Sequence, residues 1–438
     1  MTTTSTKIDL STSVSIIVSS MIGVGVYTSL GYQVLGLQSV FAILMLWLSG
    51  GIMALCGALS YGELASRYPR SGGEYNFLSQ IYHPAVGFIS GWISATVGFA
   101  GPTAAAALVF STYFSKIFNL SIPQEIIATA LIIGISALNI FSFHMGAVIQ
   151  KVITFANVAL ISVIILFGIF TPPSPDFAFS LSAADFAQLT SNSFGESLVY
   201  VSFAFSGWNA ITYIINDVVN PQKTVPRSLI IASIIVTILY ILLNYVFLYT
   251  TPVALLSSKL CDGCTGLVAG MQIFGPTTGK IVAGIICVAL FASINSYTLA
   301  GPRVIKTIGE DFKSIKKLAQ INDHGSPTLA TIIQAVIAIS ICWISKFQSI
   351  ILYLGLTLSI LTVLTVLGVF ISRFKHKGLQ PNYKTWGYPI TPLVFIGIEI
   401  FMIQKIITIW PNETLWMLAT VGSGLLVYFV LERKSHNG

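Results

Sequence analysis

Long apolar runs alternate with short polar stretches along the whole chain. Roughly twelve runs reach the ~20 residues that a hydrocarbon core demands of a helix. They lie at about 13–36, 39–60, 84–114, 122–142, 147–170, 193–217, 226–250, 276–301, 327–345, 348–372, 389–409 and 412–432. Runs of this length with few charges read as membrane-spanning helices. The expected class is an all-α integral membrane protein with about twelve spans. No small-residue cleavage site follows a short apolar core in the first run, so it reads as a retained span and not a signal peptide.

Composition and charge sharpen that reading. Apolar residues make up 55% of the 438, charged residues 8%, and mean hydropathy is +0.85, too little polarity to cover a water-soluble surface. If the N-terminus is cytoplasmic, 17 of the 22 Lys and Arg fall on the inner side, leaving Lys116, Lys259, Lys280, Lys346 and Lys405 outside. The positive-inside rule then places both termini in the cytoplasm of a multi-pass protein of the cell membrane. The net charge of +7 reports topology, so no nucleic-acid partner is expected. Cys56, Cys287 and Cys342 lie in apolar runs and read as small packing residues. Cys261 and Cys264 share an outside loop, where a disulfide or a metal clip is open, although two cysteines fall short of a structural zinc site.

Two spans carry interruptions. Span 1 contains "SSMIGVGVYTSLG", with Gly23, Val24 and Gly25 near its middle. Irregular backbone at membrane depth is tolerated only inside protein or beside a watery cavity, and the N–H groups of an unwound turn suit a carboxylate. Close helix packing also uses glycine and remains the competing explanation. Span 6 has a second interruption at Ser206-Gly207, and Gly25 and Gly207 stand 182 residues apart, each opening a block of five spans. Interrupted helices at matching positions of two halves point to the binding site of a secondary transporter. Five spans being odd, the second block enters from the opposite side. The halves are 13–170 and 193–372, with 389–432 adding two spans.

These residues carry a resemblance. "SMIGVGVY", "YGELASRYPRSGGEYNF", "FAFSGWNAITYIINDVVNPQKTVPRSL" and "ASINSYTLAGPRVIKTIGED" resemble motifs of amino acid permeases of the amino acid–polyamine–organocation (APC) superfamily, and are most similar to bacterial relatives of the L-type amino acid transporter light subunits. The resemblance implies a LeuT-type five-plus-five inverted repeat with discontinuous spans 1 and 6, plus two C-terminal spans. It implies an amino acid as the small-molecule substrate, its carboxylate on the N–H groups of Gly23, Val24 and Gly25, and its ammonium on the carbonyls of Met21, Phe203 and Ser206. Phe203 and Trp208 would flank the substrate, with interhelical packing as their alternative role. Val24 departs from the small polar residue usual between these glycines, which removes a hydroxyl contact. Tyr240 matches a tyrosine that approaches the unwound part of span 1.

Energy coupling is read from the same comparison. Many relatives hold a lysine in span 5 where this chain has Asn157, and Lys151, six residues earlier, is left at the cytoplasmic end. Without that cation, facilitated or exchange transport is favoured, with sodium- or proton-coupled symport as the alternative. Ser293 and Ser296 in span 8 could ligate sodium or bond back to their own helix. No acidic residue lies near the middle of spans 1, 3, 6, 8 or 10, so neutral L-amino acids are expected as substrates. Glu63, Arg67 and Arg70 read as an inner charge network or as interfacial anchors, and Glu399 as a structural contact or subunit interface outside the substrate site. No cofactor or resident metal is expected, and oligomeric state is not legible. An ion channel would need pore-lining charges, and an intramembrane hydrolase a nucleophile with its base or an HExxH motif; neither set occurs, so an enzyme is not expected.

Overall fold

The computed structural model describes residues 8–141, 143–257 and 264–436. Eleven helices among them are long and apolar enough to cross a membrane, and the 17-residue Thr328–Ile344 completes a set of twelve. Their order is span 1, Leu10–Met21 and Val24–Gln33; span 2, Val40–Arg67; span 3, Pro84–Phe118; span 4, Gln124–Phe141; span 5, Phe143–Phe170; and span 6, Asn192–Phe205 continued by Ala210–Asp217. Then follow span 7, Pro221–Thr250; span 8, Thr265–Asp311; span 9, Thr328–Ile344; span 10, Phe347–Lys375; span 11, Ile390–Ile409; and span 12, Pro411–His436. This is an APC-type membrane fold of about twelve spans. Span 8 begins earlier than its apolar run predicts. Gly275, at φ +82°, and Pro276 kink one continuous helix, so the run counted from 276 is only its second part.

Backbone chemistry explains the helix ends. Asp9 caps span 1 by accepting the Thr12 N–H at 2.8 Å, and Ser39 caps span 2 through the Ala42 N–H. Helices in lipid gain little from hydrophobic contact with each other, so close packing decides which ones meet. Gly50 and Gly51 let span 2 press against Val201 of span 6 and Thr237 of span 7. Asn139 in span 4 donates to Asn295 in span 8 at 2.8 Å, and Trp47 donates to Gln33 at 3.0 Å, so these polar groups are paired across helices. Phe155, Phe167 and Phe170 of span 5, Ile238 of span 7 and Phe429 of span 12 point outward, as a lipid-facing surface requires.

Charge gathers at the face where Leu10 begins. Buried Glu63 accepts from Arg67 at 3.3 Å, from Arg373 Nη2 at 2.6 Å and from the Thr385 N–H at 2.8 Å, joining spans 2 and 10 to the segment before span 11. Arg70 pairs instead with Asp311 at the end of span 8, and Arg303 of span 8 with Asp217 of span 6. Ile8 and Val218 add a short backbone bridge between spans 1 and 6. Glu63 and Arg67 thus belong to a buried charge network, whereas Arg70 forms a separate, more exposed ion pair. Cys56, Cys287 and Cys342 are buried free thiols; Cys264 is disulfide-bonded, and Cys261 lies outside the described residues.

Candidate functional site

Spans 1 and 6 break where they cross. Span 1 loses helical geometry at Ile22 (ψ 93°) and Gly23 (φ −145°, ψ −147°) and restarts at Val24. The first N–H groups of that second half have no acceptor within their own helix. Span 6 breaks at Ser206 (ψ 150°) and Gly207, whose φ of +91° favours glycine. A Cβ on Gly207 would also stand 2.6 Å from the Ser20 carbonyl oxygen, so the two breaks lie back to back.

Tyr240 and span 8 brace the junction. The buried Tyr240 hydroxyl lies 2.6 Å from the Met21 carbonyl oxygen and 3.1 Å from that of Ala204. Ser293 Oγ reaches the Ile22 carbonyl at 3.2 Å and its own helix at Ala289, 3.3 Å, while Ser296 Oγ and Ser20 Oγ are 3.0 Å apart. Thr265 Oγ1, at the start of span 8, lies 3.4 Å from the Thr28 carbonyl oxygen in the second half, so span 8 holds both sides of the span 1 break.

A cavity of about 100 Å³ lies beside these breaks, lined by Ser20, Phe203, Ser206, Trp208 and Ser296 among others. Met21, Gly23, Val24 and Gly25 are buried next to it and do not form its wall. The Met21 carbonyl already accepts from Tyr240, and that of Phe203 from the Ser206 N–H at 3.0 Å. Trp208 stands edge-on to Tyr61 (4.6 Å between centroids) and to Phe395 (6.2 Å), so it serves packing and cavity wall together. Gly25 has a clear packing task. A Cβ there would lie 2.4 Å from Ala204 Cα, a backbone atom that cannot swing aside.

Two carboxyl groups reach this cavity, which corrects the expectation that it holds none. Glu74 comes from a short helix, Glu74–Ile81, entered through Gly72 and Gly73, whose N–H groups donate to the carbonyls of Tyr213 and Thr212. Its carboxylate accepts from Tyr61 at 2.9 Å and from Asn209 and Tyr213, tying the segment after span 2 to the second half of span 6. Glu399 of span 11, placed outside the site by sequence reasoning, is only 3% exposed and lines the cavity, with Oε2 lacking a partner among the described residues. Ser94–Gly98 of span 3 is a π-helical turn, and both its end residues face the same space. The glutamates had visible signals, the pair of glycines in "SGGE" and a mid-span acid.

Asn157 is buried in span 5, but its Nδ2 finds no partner among the described residues. On the face opposite Leu10, Tyr32 stacks on Tyr200 (4.9 Å, 6°), and Gln348 donates to the Tyr200 hydroxyl at 2.9 Å. Spans 1, 6 and 10 are thereby joined above the cavity.

Comparison with known proteins follows the same lines. The model of the amino acid permease family matches residues 8–430. The b(0,+)-type amino acid transporter 1 of Mus musculus is 26% identical over 432 residues, covering 97% of this chain and 87% of its own. The serine/threonine exchanger SteT of Bacillus subtilis (strain 168) is 26% identical over 436 residues, with 98% and 97% covered. The large neutral amino acids transporter small subunit 2 of Mus musculus is 24% identical over 436 residues, covering 97% and 80%.

Proposed function

The chain belongs to the amino acid permease family, and on that premise we propose that it is a secondary transporter of neutral L-amino acids that works by alternating access, as an exchanger or facilitated carrier. The observation that carries this reading is the pair of helix breaks lying back to back, beside a small cavity and braced by Tyr240. Such a junction offers a zwitterion what it needs in a low-dielectric interior: N–H groups at Gly23, Val24 and Gly25 for the carboxylate, and carbonyls at Met21, Phe203 and Ser206 for the ammonium. The Met21 and Phe203 carbonyls each accept one hydrogen bond already and keep a second lone pair for the substrate.

Exchange is supported by two points. Asn157 carries no charge that could act as a fixed cation, and a relative spanning nearly the same length is named an exchanger. Arg67, Arg70, Arg303 and Arg373 gather at the Leu10 face, which supports a cytoplasmic assignment of that face and of both termini, in the cell membrane. The division into inverted repeats at 13–170 and 193–372, followed by 389–432, belongs to the same proposal. The test is alanine uptake into proteoliposomes, with sodium, pH and internal amino acid varied separately. Strong stimulation by internal alanine with no sodium requirement is expected. Uphill uptake into empty vesicles driven by a sodium or proton gradient would overturn exchange.

A further inference from the structure

Glu399 stands apart from every other charged group in the bundle. It sits in the middle of span 11 and is 3% exposed. The other carboxyl on the cavity wall, Glu74, is surrounded by three donors from Tyr61, Asn209 and Tyr213. Glu63 is likewise fully engaged by two guanidiniums and the Thr385 N–H. Glu399 lines the wall shared with Ser206, Gly207 and Trp208, and its Oε2 is the one fully buried carboxyl oxygen without a hydrogen bond among the described residues. A carboxyl oxygen left unpaired in a membrane interior is costly, and groups of this kind face a bundle interior and mark substrate pathways. Whether ionised or protonated, a carboxyl group retains capacity to accept a hydrogen bond.

The cavity runs from the span 6 break to Glu399. A zwitterion whose α-groups occupy the breaks would send its side chain toward spans 10 and 11, where Ser359, Thr362 and Glu399 form the wall. We propose that Glu399 is the specificity-determining acceptor of the site: its carboxyl group takes a hydrogen bond from a donor on the substrate's side chain, so that short hydroxylated amino acids, serine and threonine, are selected over alanine and valine. This rests on the transport reading above and deepens it. A site built to hydrogen-bond a substrate group discriminates against the analogue lacking it, because the buried partner is then left unpaired. One such bond to a charged or acidic acceptor corresponds to about a tenfold preference or more.

The experiment uses the full-length protein in proteoliposomes loaded with alanine, and measures competition with labelled alanine uptake by serine, threonine, valine and arginine. Wild type should prefer serine to alanine about tenfold or more, Glu399→Leu should bring the serine-to-alanine ratio close to one, and Glu399→Gln, which retains one acceptor, should fall between. The ratio is the readout, so a change in absolute rate does not enter. An unchanged ratio in Glu399→Leu would overturn the assignment, as would arginine outcompeting serine in wild type. Ligand-induced thermal stabilisation of the purified protein in detergent separates this from the transport reading. If no amino acid is exchanged, that reading fails, whereas stabilisation by serine over alanine that is lost in Glu399→Leu still supports Glu399 as the acceptor. Equal stabilisation by serine in wild type and both variants overturns it.

Discussion

The Tyr240 hydroxyl of span 7 lies 2.6 Å from the main-chain carbonyl oxygen of Met21, the last helical residue before the span 1 break. A phenol has one proton to donate, so the Ala204 carbonyl at 3.1 Å shares it in a forked arrangement. One side chain therefore satisfies backbone on both broken helices. Tyr240→Phe keeps the ring packed against Trp47 and Phe205 and removes only that donor. The expected cost is about 1–3 kcal/mol, the penalty for leaving a buried acceptor unpaired. It should appear as a lower melting temperature in detergent; wild-type stability would mean the hydroxyl does not hold the breaks.

Glycines 23 and 25 should separate sharply on substitution. A Cβ at Gly25 meets Ala204 backbone at 2.4 Å, whereas one at Gly23 meets the Ser293 hydroxyl at 2.9 Å, a group that can rotate. Overpacking against backbone costs about 1–3 kcal/mol or more. Gly25→Leu should therefore aggregate during size-exclusion chromatography, while Gly23→Ala should elute as a single species with reduced uptake. A monodisperse Gly25→Leu that merely fails to bind substrate would make approach of the carboxylate, and not packing against Ala204, the main demand on Gly25.

Glu74 holds the segment after span 2 against the second half of span 6. Glu74→Ala strands three donors, from Tyr61, Asn209 and Tyr213, around a new gap. With hydrogen bonds to a carboxylate worth about 1.5–3 kcal/mol each, a loss of about 2–4 kcal/mol is expected after partial relaxation. The cavity should also become more accessible from the Leu10 face. A cysteine placed at Ala300, which lines the cavity, should react faster with a hydrophilic maleimide in Glu74→Ala than in wild type. Equal rates would show that Glu74 does not govern access.

Much of this arrangement was legible because lipid imposes strict rules on a sequence. Span lengths follow from bilayer thickness, and the glycines at 23 and 207 mark where backbone leaves the helix. Span 8 was cut short because Gly275-Pro276 looks like a boundary and is a kink. The carboxyls of the cavity were hidden for a different reason. Depth along a span is readable from residue number, but the direction a side chain faces depends on which helices surround it. Glu399 belongs to a span outside the ten-span core and still points inward, and Glu74 arrives from a connecting segment. Gly25 shows the same limit: no pattern in "GVGVY" reveals that Ala204 occupies the space a side chain would need.

Asn157 tests the coupling mechanism. Its side chain is 2% exposed, yet Nδ2 has no partner among the described residues, so the amide does not fasten span 5 to span 1 through that donor. Replacing an unpaired buried polar group by an apolar one of similar size is close to neutral or stabilising, whereas removing an engaged one costs about 1–3 kcal/mol. Asn157→Leu should therefore melt within about 1 kcal/mol of wild type. It should also leave alanine exchange as insensitive to sodium and pH as before, since no charge is removed. Ser293 gives the contrast, because its hydroxyl contacts the Ile22 carbonyl at the break, and Ser293→Ala should slow exchange severalfold. Melting curves and uptake with and without sodium, made on both variants side by side, decide the matter. A sodium-dependent wild type that loses this dependence in Asn157→Leu would make Asn157 a coupling residue and replace exchange by symport.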